Sequence, residues 1–109
     1  MTEEKKEESL KLGGNIELSG FKEIDPRSMI IVKKIVGNYV RKFSDHYKGF
    51  KGIKLHLKTI SKKQGTEQYE LKGNLELESK ALSSEATGRN LFVVVDGLFK
   101  KLEKELTKL

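Results

Sequence analysis

The sequence predicts an α+β sandwich, a four-stranded sheet with two helices on one face, in the order β-α-β-β-β-α. Two stretches repeat apolar residues every three or four positions, the spacing of a helix face, and four others alternate apolar and polar residues as half-buried strands do. The last three alternating stretches are joined by short polar connections, so they pair antiparallel. The first is separated from them by a whole helix and must return to the same sheet, with both helices covering its apolar face.

Residues 1–12 mix charges with little to bury and read as a disordered tail ended by Gly13 and Gly14, leaving 13–109 as one domain. Asn15 to Phe21, with Ile16 and Leu18 on one side, is the first strand. Asp25-Pro26 starts a helix: the aspartate caps, and proline stands where its missing N–H costs nothing. That helix runs from Pro26 to His46 with Val32, Ile35, Val36, Tyr39, Val40 and Phe43 as its stripe, extended by Met29 and Ile31. Gly37 inside it marks either a close approach or a cost of about 1 kcal/mol against alanine. Tyr47 to Gly52 is the exit loop.

Ile53, Leu55, Leu57 and Thr59 alternate with Lys54, His56 and Lys58, and residues 61–66 form a polar hairpin loop. Tyr69, Leu71, Gly73, Leu75 and Leu77 share one face of the third strand, whose other face is mostly acidic. Leu82, Ser84 and Ala86 make a weaker fourth strand whose small side chains let a helix pack close. Asn90 caps the closing helix. Leu91, Val95, Leu98, Leu102, Leu106 and Leu109 form its stripe, flanked by Val94 and Phe99, with Lys100, Lys101, Lys104 and Lys108 outside.

The 109 residues suffice for one core, and the absence of cysteine excludes disulfides, thiolate metal sites and cysteine catalysis. No apolar run approaches a membrane span, and the charged N-terminus is no secretory signal, so a cytoplasmic protein with no membrane partner is expected. The net charge of +6 is unevenly spread: Arg27 to Lys63 holds eleven Lys or Arg and one acid, Asp45, whereas Gln64 to Asp96 holds three basic and six acidic residues. A generally high charge content explains neither bias; one cationic side that attracts polyanions does.

No nucleophile with a base, metal cluster or phosphate cradle can be assembled, so neither catalysis, a cofactor nor a small-molecule substrate is expected. His46 suits a helix C-terminus, His56 points to the solvent side of its strand, and Asp96 can pair with Lys100 or reach a basic group on the first helix. The lysines fare better. Lys33, Lys34, Arg41 and Lys42 on the first helix and Lys100, Lys101 and Lys104 on the second make a surface fit for rows of phosphates. With few arginines and most aromatics needed in the core, leaving only Tyr47 and Phe50 as stacking candidates, the expected mode is backbone and shape contact with folded RNA.

The C-terminal residues resemble the ending of the ribosome hibernation-promoting factor / ribosome-associated inhibitor family. Leu82-x-Ser84-x-Ala86, then Phe92, Val95-Asp96 and Lys101-Leu102-Glu103-Lys104-Glu105-Leu106, match that pattern in type and spacing. Ile16 to Gly20 resembles the family's opening strand and glycine, and Val40-Arg41-Lys42-Phe43 the end of its first helix. Asn90 replaces an acidic residue, Phe21-Lys22 the usual arginine, and Lys104-Glu105 an Arg-Gln pair. The resemblance implies the same β-α-β-β-β-α order, similar to double-stranded RNA-binding domains, in a short form without the second domain of longer members. It also implies binding to rRNA in the decoding channel of the small ribosomal subunit, occluding mRNA and tRNA. Lys42, Lys101 and Lys104 match its basic positions; Lys22, Lys33, Lys34, Arg41 and Lys100 join them on charge and face alone. A general double-stranded RNA-binding module is the alternative, and a domain meeting an acidic protein partner a third reading.

Overall fold

The computed structural model describes residues 9–12, 15–61, 65 and 67–109. The elements run β1 (Ser9–Leu12), β2 (Ile16–Ser19), α1 (Pro26–His46), β3 (Phe50–Ser61), β4 (Glu67–Leu77), β5 (Ala81–Gly88) and α2 (Leu91–Thr107). The four expected strands lie side by side in the order β2-β3-β4-β5, with β2 parallel to β3 and the two later pairings antiparallel. Helix α1 is therefore the crossover of a β-α-β unit, the connection that a parallel pair requires.

Residues 9–12, read as part of a disordered tail, instead form β1, an extra strand antiparallel to β2 with Leu10 opposite Leu18. The preceding residues, the Gly13-Gly14 stop and most of the 61–66 loop lie outside the described residues.

Both helix starts follow from their caps. An Asp25 carboxylate oxygen accepts from the Ser28 N–H at 3.2 Å with Pro26 behind it, and Asn90 Oδ1 accepts from the N–H groups of Phe92 and Val93 at 3.0 and 3.2 Å. Helix α2 ends at Thr107, so Leu109 falls beyond the stripe assigned to it and is 61% exposed.

A single core joins Leu18, Ile53, Leu55, Leu57, Leu71 and Leu75 of the sheet to Val32, Val36 and Phe43 of α1 and to Val95, Leu98, Phe99 and Leu102 of α2. Each such side chain contributes about 1.5–3 kcal/mol relative to exposure. Met29 joins the stripe, whereas Ile31 is 43% exposed and does not extend it. The loop after α1 is shorter than expected because β3 begins at Phe50, and Tyr47 and Phe50 both set edges against Phe43 at 6.4 and 6.3 Å. They are core-side packing and not exposed platforms for bases.

Helix α2 lies over β4 and β5. The closest approach is at Gly73 of β4, where a Cβ would stand 2.7 Å from Leu98 Cδ2; the small residues of β5 supply the rest of the room. Gly20, at φ +81°, turns the chain out of β2 so tightly that a Cβ would meet the Leu57 carbonyl oxygen at 2.0 Å. Gly37 has nothing within 4 Å of where a Cβ would be, so of its two readings the local cost is the one the packing supports.

Candidate nucleic-acid interface

The two helices lie side by side and run the same way. Tyr39 of α1 stacks on Phe99 of α2 with ring centroids 4.9 Å apart and planes 5° from parallel, and one turn further Lys42 reaches Glu103. Contacts thus advance together along both helices. The stripes beneath them point to the sheet, so the remaining surface of both forms one outer layer.

The two helices carry eight Lys or Arg residues, Arg27, Lys33, Lys34, Arg41, Lys42, Lys100, Lys101 and Lys104, all exposed, against four carboxylates, Asp45, Asp96, Glu103 and Glu105, with Asp25 and Lys108 at their caps. Lys34 and Arg41, seven residues and so about two turns apart, follow one line down the outside of α1, with Lys33 on the flank away from α2. Lys42 occupies the flank toward α2, and Lys100 and Lys104 are one turn apart on the outside of α2. The opposite face of the sheet is balanced: Glu17, Glu70, Glu76 and Glu85 stand among Lys54, Lys58 and Lys72. The helix layer is thus net positive and the sheet face close to neutral, with Lys54 and Lys58 of the basic stretch on the latter.

Not all eight expected ligands are equivalent. Lys33, Lys34, Arg41 and Lys104 have no ion-pair partner among the described residues. Lys42 pairs with Glu103, and Lys100 lies 3.2 Å from Asp96; with lysine side chains 52% and 66% exposed, these pairs are worth at most about 1 kcal/mol each and remain open to competition by phosphate. Lys101 turns to the far flank of α2, where its Nζ donates to the backbone carbonyl of Glu85 at 2.7 Å. It fastens the helix to β5 and stands at the margin of the layer. Lys22 sits in the turn that enters α1, at the opposite end of the layer from Arg41, Lys42 and Lys104, so the fold does not gather it with the rest.

The seam between the helices holds what sequence reasoning missed. Asp96 takes its expected partner Lys100, but on α1 it meets a tyrosine instead of a base: Tyr39 Oη donates to Asp96 Oδ1 at 2.7 Å. That hydrogen bond, then the nearby lysine, holds the Asp96 carboxyl below the usual carboxylate range. Burial, then the bond to Asp96, pushes the Tyr39 phenol up to about 12. The signal was available in Tyr39 lying on the edge of its stripe, where a polar tip can leave the core. Of the histidines, His46 Nδ1 donates to the Lys42 carbonyl oxygen at 2.8 Å at the helix end, and His56 contacts Ser19 Oγ at 2.9 Å on the exposed sheet face. Among the described residues no three His, Cys, Asp or Glu side chains converge on a metal position, and no helix is long and apolar enough to cross a membrane.

No family model and no curated protein sequence matches the chain. Solved structures do. A ribosomal subunit interface protein from Coxiella burnetii superposes with a TM-score of 0.63 at 17% identity, over 86% of this chain and 92% of that one. The N-terminal domain of Protein Y from Thermus thermophilus superposes with a TM-score of 0.55 at 13% identity, over 86% and 93%. Both belong to the hibernation-factor family that the C-terminal residues resemble, and at these identities the likeness is one of fold.

Proposed function

We propose that this protein is a ribosome-binding translation inhibitor of the hibernation-factor kind. The α1/α2 layer lies against rRNA in the decoding channel of the small subunit and excludes mRNA and tRNA while it is bound. The observation that carries the reading is the outer helix layer, in which eight cations stand against four carboxylates on the fold that a ribosomal subunit interface protein also adopts. Lysine ammonium groups act as point charges on phosphate and carry no base-reading fork, which suits a fixed RNA shape more than a sequence. Lys33, Lys34, Arg41 and Lys104 are the direct phosphate ligands, Lys42 and Lys100 join once phosphate competes with their carboxylates, and Lys101 and Lys22 contribute at the margins. No step of this function requires catalysis or a cofactor, and the protein acts in the cytoplasm, where ribosomes are.

Sedimentation with purified ribosomal subunits tests it. The protein is expected in the small-subunit fraction at low salt and is released as salt rises, because each phosphate contact returns a condensed counterion. The triple variant Lys34→Glu/Arg41→Glu/Lys104→Glu is expected to stay at the top of the gradient while its thermal unfolding is unchanged. Equal binding to any RNA duplex, with no preference for small subunits, would favour the general double-stranded RNA-binding module.

A further inference from the structure

The outer helix layer changes character along its length. Lys34 and Arg41 line the outside of α1, and Lys100 and Lys104 that of α2. Nearer the helix N-termini each of these lines begins with bare hydrocarbon, Ile30 one turn ahead of Lys34 and Val93 two turns ahead of Lys100. Because Tyr39 stacks on Phe99 and Lys42 pairs with Glu103, residues about sixty apart in sequence stand level on the two helices. Ile31 is therefore level with Phe92 across the seam, and Ile30 and Val93 lie at the same end. Ile30, Ile31 and Val93 are three of the four large apolar side chains exposed among the described residues, and Phe92 and Ile35 beside them are half-buried.

The fold gains little from this arrangement. β-Branched residues are weaker helix formers than lysine or glutamate, and in these positions they recover little by burial. A contiguous exposed apolar patch marks an interaction surface where scattered residues would not. Its surroundings select the partner. Arg27 stands one turn before Ile30 and Ile31 and Lys34 one turn after, neither with an ion-pair partner among the described residues. Helix α1 has no carboxylate before Asp45, and Asp96, one turn past Val93, is engaged by Tyr39 and Lys100.

We propose that this apolar end seats an exposed base of rRNA, unpaired or at the end of a duplex, while the cations beside it hold the phosphates of the same RNA; the proposal rests on ribosome binding through the helix layer. Phosphate oxygens would lose hydration against hydrocarbon, so the part of a polynucleotide that fits there is the face of a base. Within a continuous duplex those faces are stacked on one another, whereas a flipped base or a terminal pair presents one, and apolar side chains make such contacts elsewhere between base steps. An acidic protein surface fits less well. The unpaired Lys34, Arg41 and Lys104 continue the layer from the patch, and one polyanion covers both. The base contact gives a backbone-binding surface a means of telling a junction or loop from uniform duplex.

The variant Ile30→Ser/Val93→Ser in the full chain tests this. Both side chains are exposed, at 60% and 66%, so thermal unfolding should be unchanged. Binding to small subunits across a salt series is expected to weaken about tenfold, with the slope of log affinity against log salt unchanged, because no phosphate contact is lost. A benzophenone crosslinker in place of the Val93 side chain should attach to an rRNA nucleotide that is unpaired or closes a duplex. Unchanged affinity, or a loss accompanied by a flattened slope, would overturn the base contact and leave ribosome binding standing. Attachment to a ribosomal protein, to the interior of a duplex or to nothing would overturn the base assignment. Failure of the parent protein itself to bind small subunits would instead overturn the functional reading, and the base contact with it.

Discussion

Tyr39 and Asp96 hydrogen-bond across the seam between the two helices, and each predicts a pH dependence of opposite sense. The Asp96 carboxyl is held below its ordinary range by Tyr39 and then Lys100, so its contribution to stability is complete above the unfolded carboxylate pKa and is lost as pH falls through the lowered value. Tyr39 is raised from 10.0 to about 12, so its contribution is complete below about pH 10 and is lost as pH rises through about 12. Urea unfolding across pH is expected to find Tyr39→Phe about 1 kcal/mol less stable at neutral pH, with a flatter profile at both ends. Glycines separate at this scale too. Gly37→Ala should stabilise by up to about 1 kcal/mol, since it adds a helix former where nothing obstructs a Cβ. Gly20→Ala should destabilise strongly, through both its positive φ and the Leu57 carbonyl. The Gly37 alternatives could not be separated from sequence, because the difference lies in what neighbouring elements leave empty.

At the scale of elements, the helices were legible because their starts are written in local chemistry: Asp25-Pro26 and Asn90 cap where expected, and α1 spans Pro26–His46. Strand alternation gave the sheet face of Leu55, Leu71 and Leu75 just as directly. Strand β1 was hidden because its short, charge-flanked stretch depends on pairing with β2, a tertiary event. Tyr47 and Phe50 were misread as exposed because only the fold brings Phe43 beneath them. The pairing of Lys42 with Glu103 was likewise invisible, as it depends on the relative register of two helices about sixty residues apart in sequence. That pair carries a prediction: Glu103→Gln frees a cation and removes a charge that repels phosphate. Since Lys42 then leaves no carboxylate behind when it meets phosphate, affinity for ribosomal subunits should rise several-fold at a given salt concentration. Filter binding measures this, and an unchanged affinity would mean that Lys42 stays off the RNA.

The molecule as a whole presents two faces back to back, a cationic helix layer and a charge-balanced sheet face. The lysines of the helices share an outer layer, with Lys101 at its margin, whereas Lys54 and Lys58 of the basic stretch lie on the sheet face. Which of them are paired depends on the carboxylates beside them, and that required the fold. Lysine acetylation of the free and ribosome-bound protein, read residue by residue by mass spectrometry, tests the central claim most directly. Binding is expected to protect Lys33, Lys34, Lys42, Lys100 and Lys104 and leave Lys54, Lys58 and Lys72 as reactive as in the free protein. Protection of the three sheet lysines, with the helix lysines still reactive, would contradict it.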